Sequence, residues 1–585
     1  MMSSISKITG TGTPAALDAA VPVSSGPTRF ARVLAGFAGG GIVSALLVMV
    51  AASLLRSSWA VPPLPLPAIG PPWGLVGVQV QPAAITVALW LSAVVGGAAV
   101  AAGLVAVHRG VRPSIRLLVT VAVIAVVVLT VLPPVGSTDA LDYAVYGRIM
   151  ALGHSPYVEV PNQLRIAHNA FAQSVPVKWD QSPSVYGPLA TLEQFLAAKL
   201  GGASPARIIF WLKLWNAIAF GVVAFAADRR LRSDLAMRLR AHLLWTVNPL
   251  LWWSLIAAGH VDVIAAALGL LGLLLLRGPI LPGTILGGLA RSGPEFRLAG
   301  SANRAAPPKL KPGWKSVGAR MQLSRVLAAG ALLGATADIK INYALFGLAL
   351  AWVLRRSPAA LAAAAVGAFG VLIPSYALFG LPALKAVAVR GNADNFYGLL
   401  FYPRLVYRTQ IAVIAVIAVI LVSLLLLRRL PVGPPGSPAI RSALALTVSW
   451  LFFWPYQLPW YEAMIICLLV LYPRTRLDWL VLARLTVATL SSMPGNPTFP
   501  RGSSLTIQNR YNVLIITPAV LFAVCISVVL LAVTRRWQRR PAKPGLAKLR
   551  PVKLGQEGSN SLEAGKGRGP AAADLSDAPD NAAVL

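Results

Sequence analysis

The stretch LLVTVAVIAVVVLTV, residues 117–131, decides the fold class of this chain. It carries no charged side chain, and two prolines follow it after Leu132. The next segment, GSTDALDYAVYGRIMALGHSPY at residues 136–157, abruptly brings two carboxylates, three tyrosines and a histidine. Apolar runs of this kind, broken by Arg, Pro or aromatic clusters, recur along almost the whole sequence, and they suit a hydrocarbon core.

The composition points to an integral membrane protein. Of 585 residues, 56% are hydrophobic and 12% are charged, and the mean hydropathy is +0.69, unlike an average soluble domain. We predict an all-α bundle of about 12 to 14 transmembrane helices, with an outer loop that carries short amphipathic helices. The predicted spans are 33–55, 83–107, 115–133, 206–227, 241–258, 261–276, 325–339, 341–354, 357–379, 411–427, 442–455, 460–472, 477–491 and 511–534.

The net charge of +33 reflects topology and lipid contact rather than nucleic-acid binding, because Arg and Lys lie mostly in short loops and in the tail. The arginine clusters fall on one side of the predicted spans, which the positive-inside rule makes the cytoplasm. The predicted parts are a disordered N-terminal tail (1–32), a membrane domain (33–534) and a basic, disordered C-terminal tail (535–585). Both termini and the basic loop 277–324 are placed in the cytoplasm, and the large loop 134–205 is placed outside.

The segment after residue 136 has the spacing of a helix with an acidic and aromatic stripe. Asp139, Asp142, Tyr143 and Tyr146 stand at i, i+3, i+4 and i+7, which is one helix face. Ser137 and Thr138 precede them as suitable N-caps. We expect a short helix on the outer membrane surface. A carboxylate in a first helical turn is also stabilised by the backbone alone, so the stripe needs support from other polar groups.

Such groups occur at the ends of other predicted spans on the outer side. His260 and Asp262 lie in AAGHVDV, Lys340 lies in ATADIKINY, and Arg390 lies in VRGNADNFYG. Each could have a purely structural role, such as helix capping or snorkelling toward headgroups. Together they predict acids, an imidazole and cations at one membrane level. Cations suit a departing lipid phosphate, and one carboxylate suffices to deprotonate an attacking sugar hydroxyl.

The cysteines and acids give no indication of a metal or a cofactor. Cys467 and Cys525 both lie in apolar segments, which argues against a disulfide framework. The sequence shows no metal-ligand spacing. We therefore expect neither a metal site nor a cofactor.

The order of five motifs resembles that of a known family. STDALDYAVYGRIMALGHSPY, WDQSPSVYGPL, AGHVDV, ADIKINYAL and PYQLPWY are similar to segments of the actinobacterial polyprenol-phosphate-mannose-dependent alpha-1,6-mannopyranosyltransferases, which are GT-C membrane glycosyltransferases. The similarity covers roughly residues 115–535. It implies a plasma-membrane enzyme that uses polyprenyl phosphate mannose as donor on the outer face. The enzyme would transfer mannose with inversion at the anomeric carbon and extend an alpha-1,6-mannan acceptor of the lipomannan type.

The resemblance also implies roles for individual residues. Asp139 corresponds to the expected catalytic carboxylate, but a second acid stands at position 142, so either Asp139 or Asp142 could be the base. His260, Asp262, Lys340 and Arg390 would hold the donor phosphate. The acceptor or its sugars would contact Tyr143, Tyr146, Tyr186, Trp460 and Tyr461, since aromatic rings stack on sugar C–H faces, although aromatic residues also favour membrane interfaces.

Two other functions fit the same sequence. A transporter or flippase of a lipid-linked sugar would need charged groups along a pathway near the bilayer midplane, whereas the charged groups here gather at span ends. A GT-C enzyme could also use another lipid-linked sugar, such as arabinofuranose or glucose. Besides membrane lipids, the expected partners are the donor and the mannan or lipoglycan acceptor, with no nucleic acid, and the oligomeric state is left open.

Overall fold

The apolar runs form helices, and the part of the chain that the structure describes contains no β-strand. The structure is a computed structural model that describes residues 26–55, 58–61, 78, 80–166, 180–276, 312–389, 408–431, 438–454, 458–495, 519, 523 and 526–530. The predicted fold class, an all-α membrane protein, is confirmed. The two predicted tails, most of the basic loop and the last predicted span lie largely or wholly outside the described residues.

The helices are numbered in chain order. They are α1 (Arg29–Leu54), α2 (Pro82–His108), α3 (Ile115–Val131), α4 (Asp139–Ala151), α5 (Pro161–Ile166), α6 (Pro188–Gly201), α7 (Pro205–Arg230), α8 (Leu235–Ala241), α9 (Pro249–Leu251), α10 (Asp262–Leu275), α11 (Pro312–Ile339), α12 (Ala344–Leu354), α13 (Pro358–Phe379), α14 (Leu381–Val389), α15 (Arg408–Arg429), α16 (Pro438–Phe453), α17 (Ala463–Leu469) and α18 (Leu477–Ser492). Two π-helical turns (His242–Thr246 and Trp252–Ala257) and two 3-10 turns (Ile341–Tyr343 and Pro459–Glu462) complete the described helical structure.

Four of the described helices are long and apolar enough to cross a membrane, namely α1, α2, α7 and α13. A fifth span forms if Leu235–Ala257 and α10, which bend by 115° relative to each other, are counted as one. Shorter apolar helices include α3 and α16. The predicted total of 12 to 14 spans includes such short helices and stays a prediction.

The long helices differ in how deeply they lie in the bundle. The apolar window of α2 is 56% buried, whereas that of α13 is 17% buried. On α13, Val366, Phe369 and Ile373 are 63%, 56% and 65% exposed and share one helix face. A continuous exposed apolar face on a hydrophobic helix faces lipid. Helix α13 therefore lies at the periphery, packed against α11 on its other side.

The connection between α3 and α4 is fixed from two directions. The fully buried Lys213 of α7 donates from Nζ to the backbone oxygen of Leu132 at 2.8 Å, where α3 ends. The Val135 backbone N–H donates to the Ala257 backbone oxygen at 3.1 Å. These contacts bring the start of α4 beside the end of the second π turn, so Asp139 meets the segment that contains His260.

Helix α4 forms where the stripe predicted a helix, and it begins at Asp139. It packs against α6 and α7, so Tyr143 and Tyr146 are only 1% and 3% exposed. The stripe therefore contacts protein rather than lying on an open membrane surface. Because few polar groups are tolerated in such surroundings without partners, the contacts of Asp139 and its neighbours define the candidate site.

Candidate active site

Asp139 is the accessible acid of the cluster. Its backbone N–H donates to Ser137 Oγ at 3.1 Å, its side chain is 24% exposed, and its Oδ2 lies 3.4 Å from His260 Nε2. Burial by itself would raise the pKa of the Asp139 carboxyl. The contact with His260, the charge of Lys340 and the Ser137 hydroxyl outweigh that effect and hold the pKa below the ordinary aspartate value. Asp139 is therefore an ionised carboxylate that is partly exposed.

His260 is fully buried between three groups. Its Nδ1 lies 2.6 Å from the Ser254 backbone oxygen, which can only accept, so Nδ1 carries a hydrogen. Its Nε2 faces Asp139. Its ring stacks on the indole of Trp460, with ring centroids 3.5 Å apart and planes at 15°. Both nitrogens face protein groups and the side chain is 0% exposed, so His260 contacts Asp139 and has no exposed surface of its own for a ligand.

The chain reaches His260 through a sharp break. The Ala258 N–H closes the second π turn on the Trp253 oxygen at 3.0 Å, and Gly259 then adopts φ +76°. This left-handed conformation favours glycine at a helix end. The turn predicted from AGHVDV is confirmed, and it leaves Asp262 in the first turn of α10.

Lys340 and Asp262 form a second charged pair. Lys340 Nζ lies 2.6 Å from Asp262 Oδ2, with the side chains 12% and 0% exposed. Tyr343 donates its hydroxyl to the Asp262 backbone oxygen at 3.0 Å. The Lys340 ammonium also lies 4.5 Å from the ring centroid of Tyr461. Lys340 is therefore held in place while its side chain stays 12% exposed.

Two tyrosines border the same space. The Tyr186 hydroxyl donates to the Tyr143 hydroxyl at 3.1 Å, and their rings meet edge to face at 4.9 Å. Burial raises the pKa of Tyr143 well above its ordinary value, and Tyr186 and Asp139 add to this effect. Tyr143 thus stays a neutral hydroxyl. The Lys340 ammonium lies 6.0 Å from the Tyr186 ring centroid, which links the tyrosines to the charged pair.

Tyr186 is positioned by residues that the sequence did not single out. The Tyr157 hydroxyl donates to the Tyr186 backbone oxygen at 2.9 Å, and the Leu189 N–H donates to Asp338 Oδ1 at 3.1 Å. A Cβ atom on Gly187 would lie 1.4 Å from the Asp338 backbone oxygen, so this loop presses directly against the end of α11. Asp338 precedes Lys340 by two positions in the ADIK motif, and this position in the motif was the sequence signal that could have identified Asp338.

The predicted site residues thus divide into three groups. Contacts join the larger set, which is Asp139, Tyr143, Tyr186, His260, Asp262, Lys340, Trp460 and Tyr461. Asp142 is 7% exposed, and Tyr146 donates its hydroxyl to the Ser182 backbone oxygen at 2.9 Å. Arg390 lies outside the described residues. The roles of all these residues stay predictions.

A buried ion pair beside the site was also not predicted from the sequence. Glu462 closes the 3-10 turn that carries Trp460, and it pairs with Arg484 of α18. Arg484 also donates to the Leu451 backbone oxygen at 3.2 Å, and both charged residues are 0% exposed. An arginine inside an apolar span was the signal, since intramembrane charges are rare without a partner.

Among the described residues, no group of three or more His, Cys, Asp or Glu side chains has a metal-binding arrangement. The prediction of a metal-free reaction stays untested. The described cluster instead consists of an accessible carboxylate, an accessible ammonium and aromatic rings. It lies where α3 ends and α10 begins, whereas arginines follow the opposite ends of α2, α7, α12 and α15.

The fold and this cluster define an all-helical membrane protein with a candidate active site at one end of its helices. Residues 37–294 match the model of the family described as "Alpha-(1->6)-mannopyranosyltransferase, N-terminal domain". This part of the chain is therefore similar to that family, which confirms the resemblance predicted from the motifs. The matched segment contains Asp139, Asp142, Tyr186, His260 and Asp262, but not Lys340 or Trp460.

Three curated proteins are similar over parts of their length. A probable alpha-(1->6)-mannopyranosyltransferase of Mycolicibacterium smegmatis is 27% identical over 234 residues, which cover 38% of each chain. Alpha-(1->6)-mannopyranosyltransferase B of Corynebacterium glutamicum is 34% identical over 156 residues, which cover 25% of this chain and 24% of that protein. An alpha-(1->6)-mannopyranosyltransferase of Mycobacterium tuberculosis is 28% identical over 145 residues, again 25% and 24%. The matches thus span well under half of these relatives, and no solved structure matches.

Proposed function

We propose that this protein is an inverting alpha-1,6-mannosyltransferase that moves mannose from polyprenyl phosphate mannose to an alpha-1,6-mannan or lipoglycan acceptor. The family match and the names of the similar proteins support the mannosyl transfer. The donor, the acceptor and the stereochemistry are parts of the proposal. The observation that carries the mechanism is the difference in exposure between Asp139 at 24% and the fully buried His260.

Asp139 serves as the general base in this mechanism. As the acceptor hydroxyl attacks the anomeric carbon of the donor, its proton passes to the Asp139 carboxylate, and the bond between the anomeric carbon and the phosphate oxygen breaks. The pKa of Asp139, which lies below the ordinary value, keeps the carboxylate ready to accept that proton. The proton leaves to water before the next turnover.

Lys340 faces the departing phosphate. Polyprenyl phosphate leaves as an anion, so it needs a positive neighbour rather than a proton donor. Asp262 holds the Lys340 ammonium at 2.6 Å, and the 12% exposure of Lys340 leaves it within reach of a ligand. The Lys340 ammonium lies 6.0 Å and 4.5 Å from the ring centroids of Tyr186 and Tyr461, and we assign these two rings to the sugars.

We place this site on the outer face of the plasma membrane. Helix α7 ends in Arg229 and Arg230, Arg355 and Arg356 follow α12, and α15 ends in Arg428 and Arg429. The positive-inside rule places those ends in the cytoplasm. The residues around Asp139 and His260 lie at the opposite helix ends, so the donor and the acceptor meet on the extracytoplasmic side.

The test compares two acids on the same helix. Membranes that contain the wild type, Asp139→Asn or Asp142→Asn are given radiolabelled polyprenyl phosphate mannose and a synthetic alpha-1,6-mannoside. We expect Asp139→Asn to lower kcat by about 10²–10⁴-fold, the usual contribution of a general base. Asp142→Asn should retain most activity once the amount of folded protein is matched.

Retained activity in Asp139→Asn together with loss in Asp142→Asn would reassign the base. Competition by unlabelled polyprenyl phosphates of arabinose or glucose tests the sugar, and mannose should compete best. If wild-type membranes transfer no sugar in vitro, while cells that lack the protein lose extracellular mannan, a transporter or flippase would replace this proposal.

A further inference from the structure

Trp460 was predicted to stack on a sugar, but one face of its indole is already occupied. The His260 imidazole lies parallel to it, with ring centroids 3.5 Å apart, and Trp460 as a whole is 9% exposed. Tyr461 lies edge-on to the indole at 6.4 Å. Little aromatic surface of Trp460 remains for a ligand, so its contact with His260 needs a different explanation.

The turn that carries Trp460 is anchored more strongly than a sugar-binding loop requires. Pro459–Glu462 is buried throughout, and Glu462 pairs with the fully buried Arg484. Two charges are costly to bury unless they are paired and hydrogen-bonded, and then they favour one geometry strongly. The pair therefore fixes the Pro459–Glu462 turn relative to α18, and with it the plane of the indole.

That plane sets the orientation of His260. The Ser254 oxygen fixes one nitrogen of the imidazole at 2.6 Å, but a single hydrogen bond leaves rotation about it possible. The parallel indole removes this freedom and directs Nε2 toward Asp139. Held in this way, Nε2 stays 3.4 Å from Asp139 Oδ2.

We propose that Trp460 is a positioning residue, which holds His260 in the orientation that keeps its Nε2 beside the Asp139 carboxylate. The inference rests on the proposed function and adds the group that supports its base. The charged groups around His260 come from three elements, namely Asp139 at the start of α4, Asp262 at the start of α10 and Lys340 after α11. Trp460 is uncharged and contacts the face of the His260 ring.

The experiment measures kcat against pH for Trp460→Leu and Trp460→Phe, with saturating polyprenyl phosphate mannose and mannoside acceptor. Leucine removes the aromatic face, so kcat should fall roughly 10- to 100-fold through misorientation. The acidic limb of the profile should also move to higher pH, because the contact with His260 that lowers the pKa of Asp139 is weakened. Phenylalanine keeps a stacked ring of smaller area, so its acidic limb should lie between those of the wild type and Trp460→Leu.

Trp245→Leu is the matched control. Trp245 is fully buried and stacks on Phe220, with ring centroids 5.0 Å apart, and its indole N–H donates to the Phe220 backbone oxygen at 3.1 Å rather than to a site residue. This variant should lower the amount of folded enzyme without moving the acidic limb. A merely structural role for Trp460 would give that same result.

An acidic limb of Trp460→Leu that coincides with the wild type would overturn the inference. If Trp460→Leu does not fold, an unshifted limb in Trp460→Phe overturns it equally. The proposed function fails separately, through retained transfer in Asp139→Asn. An inactive Asp139→Asn variant combined with unshifted Trp460 variants would therefore reject the role of Trp460 alone.

Discussion

The Lys340–Asp262 pair allows a prediction with a sign and a size. At 2.6 Å, two unit charges attract by about 6 kcal/mol at an effective dielectric constant of 20, and desolvation offsets much of that gross figure. The two partners differ in exposure, at 12% for Lys340 and 0% for Asp262. Lys340→Met strands a fully buried carboxylate, whereas Asp262→Asn leaves an ammonium that can turn toward water or headgroups.

We therefore expect unequal losses in the free energy of unfolding. Lys340→Met should cost about 3–5 kcal/mol, the usual result of stranding a buried charge. Asp262→Asn should cost about 1.5–3 kcal/mol, the value of a hydrogen bond to a charged group. The double variant should be less destabilised than the sum, with a coupling of about 0.5–3 kcal/mol.

The assay measures the unfolding of purified protein in detergent, induced by denaturant or by heat. The wild-type protein is the reference. Equal losses for the two single variants would refute the argument from exposure. Losses that add in the double variant would show that the 2.6 Å contact contributes no coupling. Mannosyl transfer is measured on the same samples, and the double variant should stay inactive even where its stability recovers, because it lacks the charge that we propose binds the donor phosphate.

The other predictions concern pH and a close backbone contact. Because the folded pKa of Asp139 lies below 3.8, its stabilising contribution is present above pH 3.8 and is lost as the pH falls through the folded value. In a profile of kcat against pH for folded enzyme, protonation of Asp139 should thus cause no fall in kcat above that pH. His260→Ala should move the acidic limb to higher pH. A wild-type limb centred well above pH 3.8 would contradict this. Gly187→Ala should cost about 1–3 kcal/mol and raise KM for the acceptor, because its Cβ atom would clash with Asp338, whereas Gly221→Ala has open space; equal Tm values for these two variants would count against the clash.

The sequence predicted the local features of the site well, because they depend on local rules. The change from apolar run to STDALDY predicted a helix near Asp139, and the structure begins α4 there. The polar AGHVDV between two apolar runs predicted the turn at His260. Spacing also placed Asp139 and Asp142 on one face, but no local rule chose between them. Their exposures of 24% and 7% depend on how α4 packs.

The long-range pairings could not be predicted from one sequence. Lys340 and Asp262 are 78 positions apart, and an isolated lysine at a span end has a sufficient explanation in snorkelling. Trp460 lies 200 positions after His260, and tryptophan at a membrane interface needs no partner. Chemistry therefore identified which residue types belong in the site, while the packing decided which partner each one takes.

The break in the membrane segment connects the fold to the chemistry. In a hydrocarbon environment each backbone carbonyl needs a partner, and a helix that stops before Gly259 leaves carbonyls free. His260 satisfies the Ser254 oxygen at 2.6 Å, which commits the Nδ1 hydrogen to the backbone. Its Nε2 then lies 3.4 Å from Asp139 Oδ2. The same turn that ends the helix thus places the imidazole beside the Asp139 carboxylate, and a continuous helix through residue 260 would remove this contact.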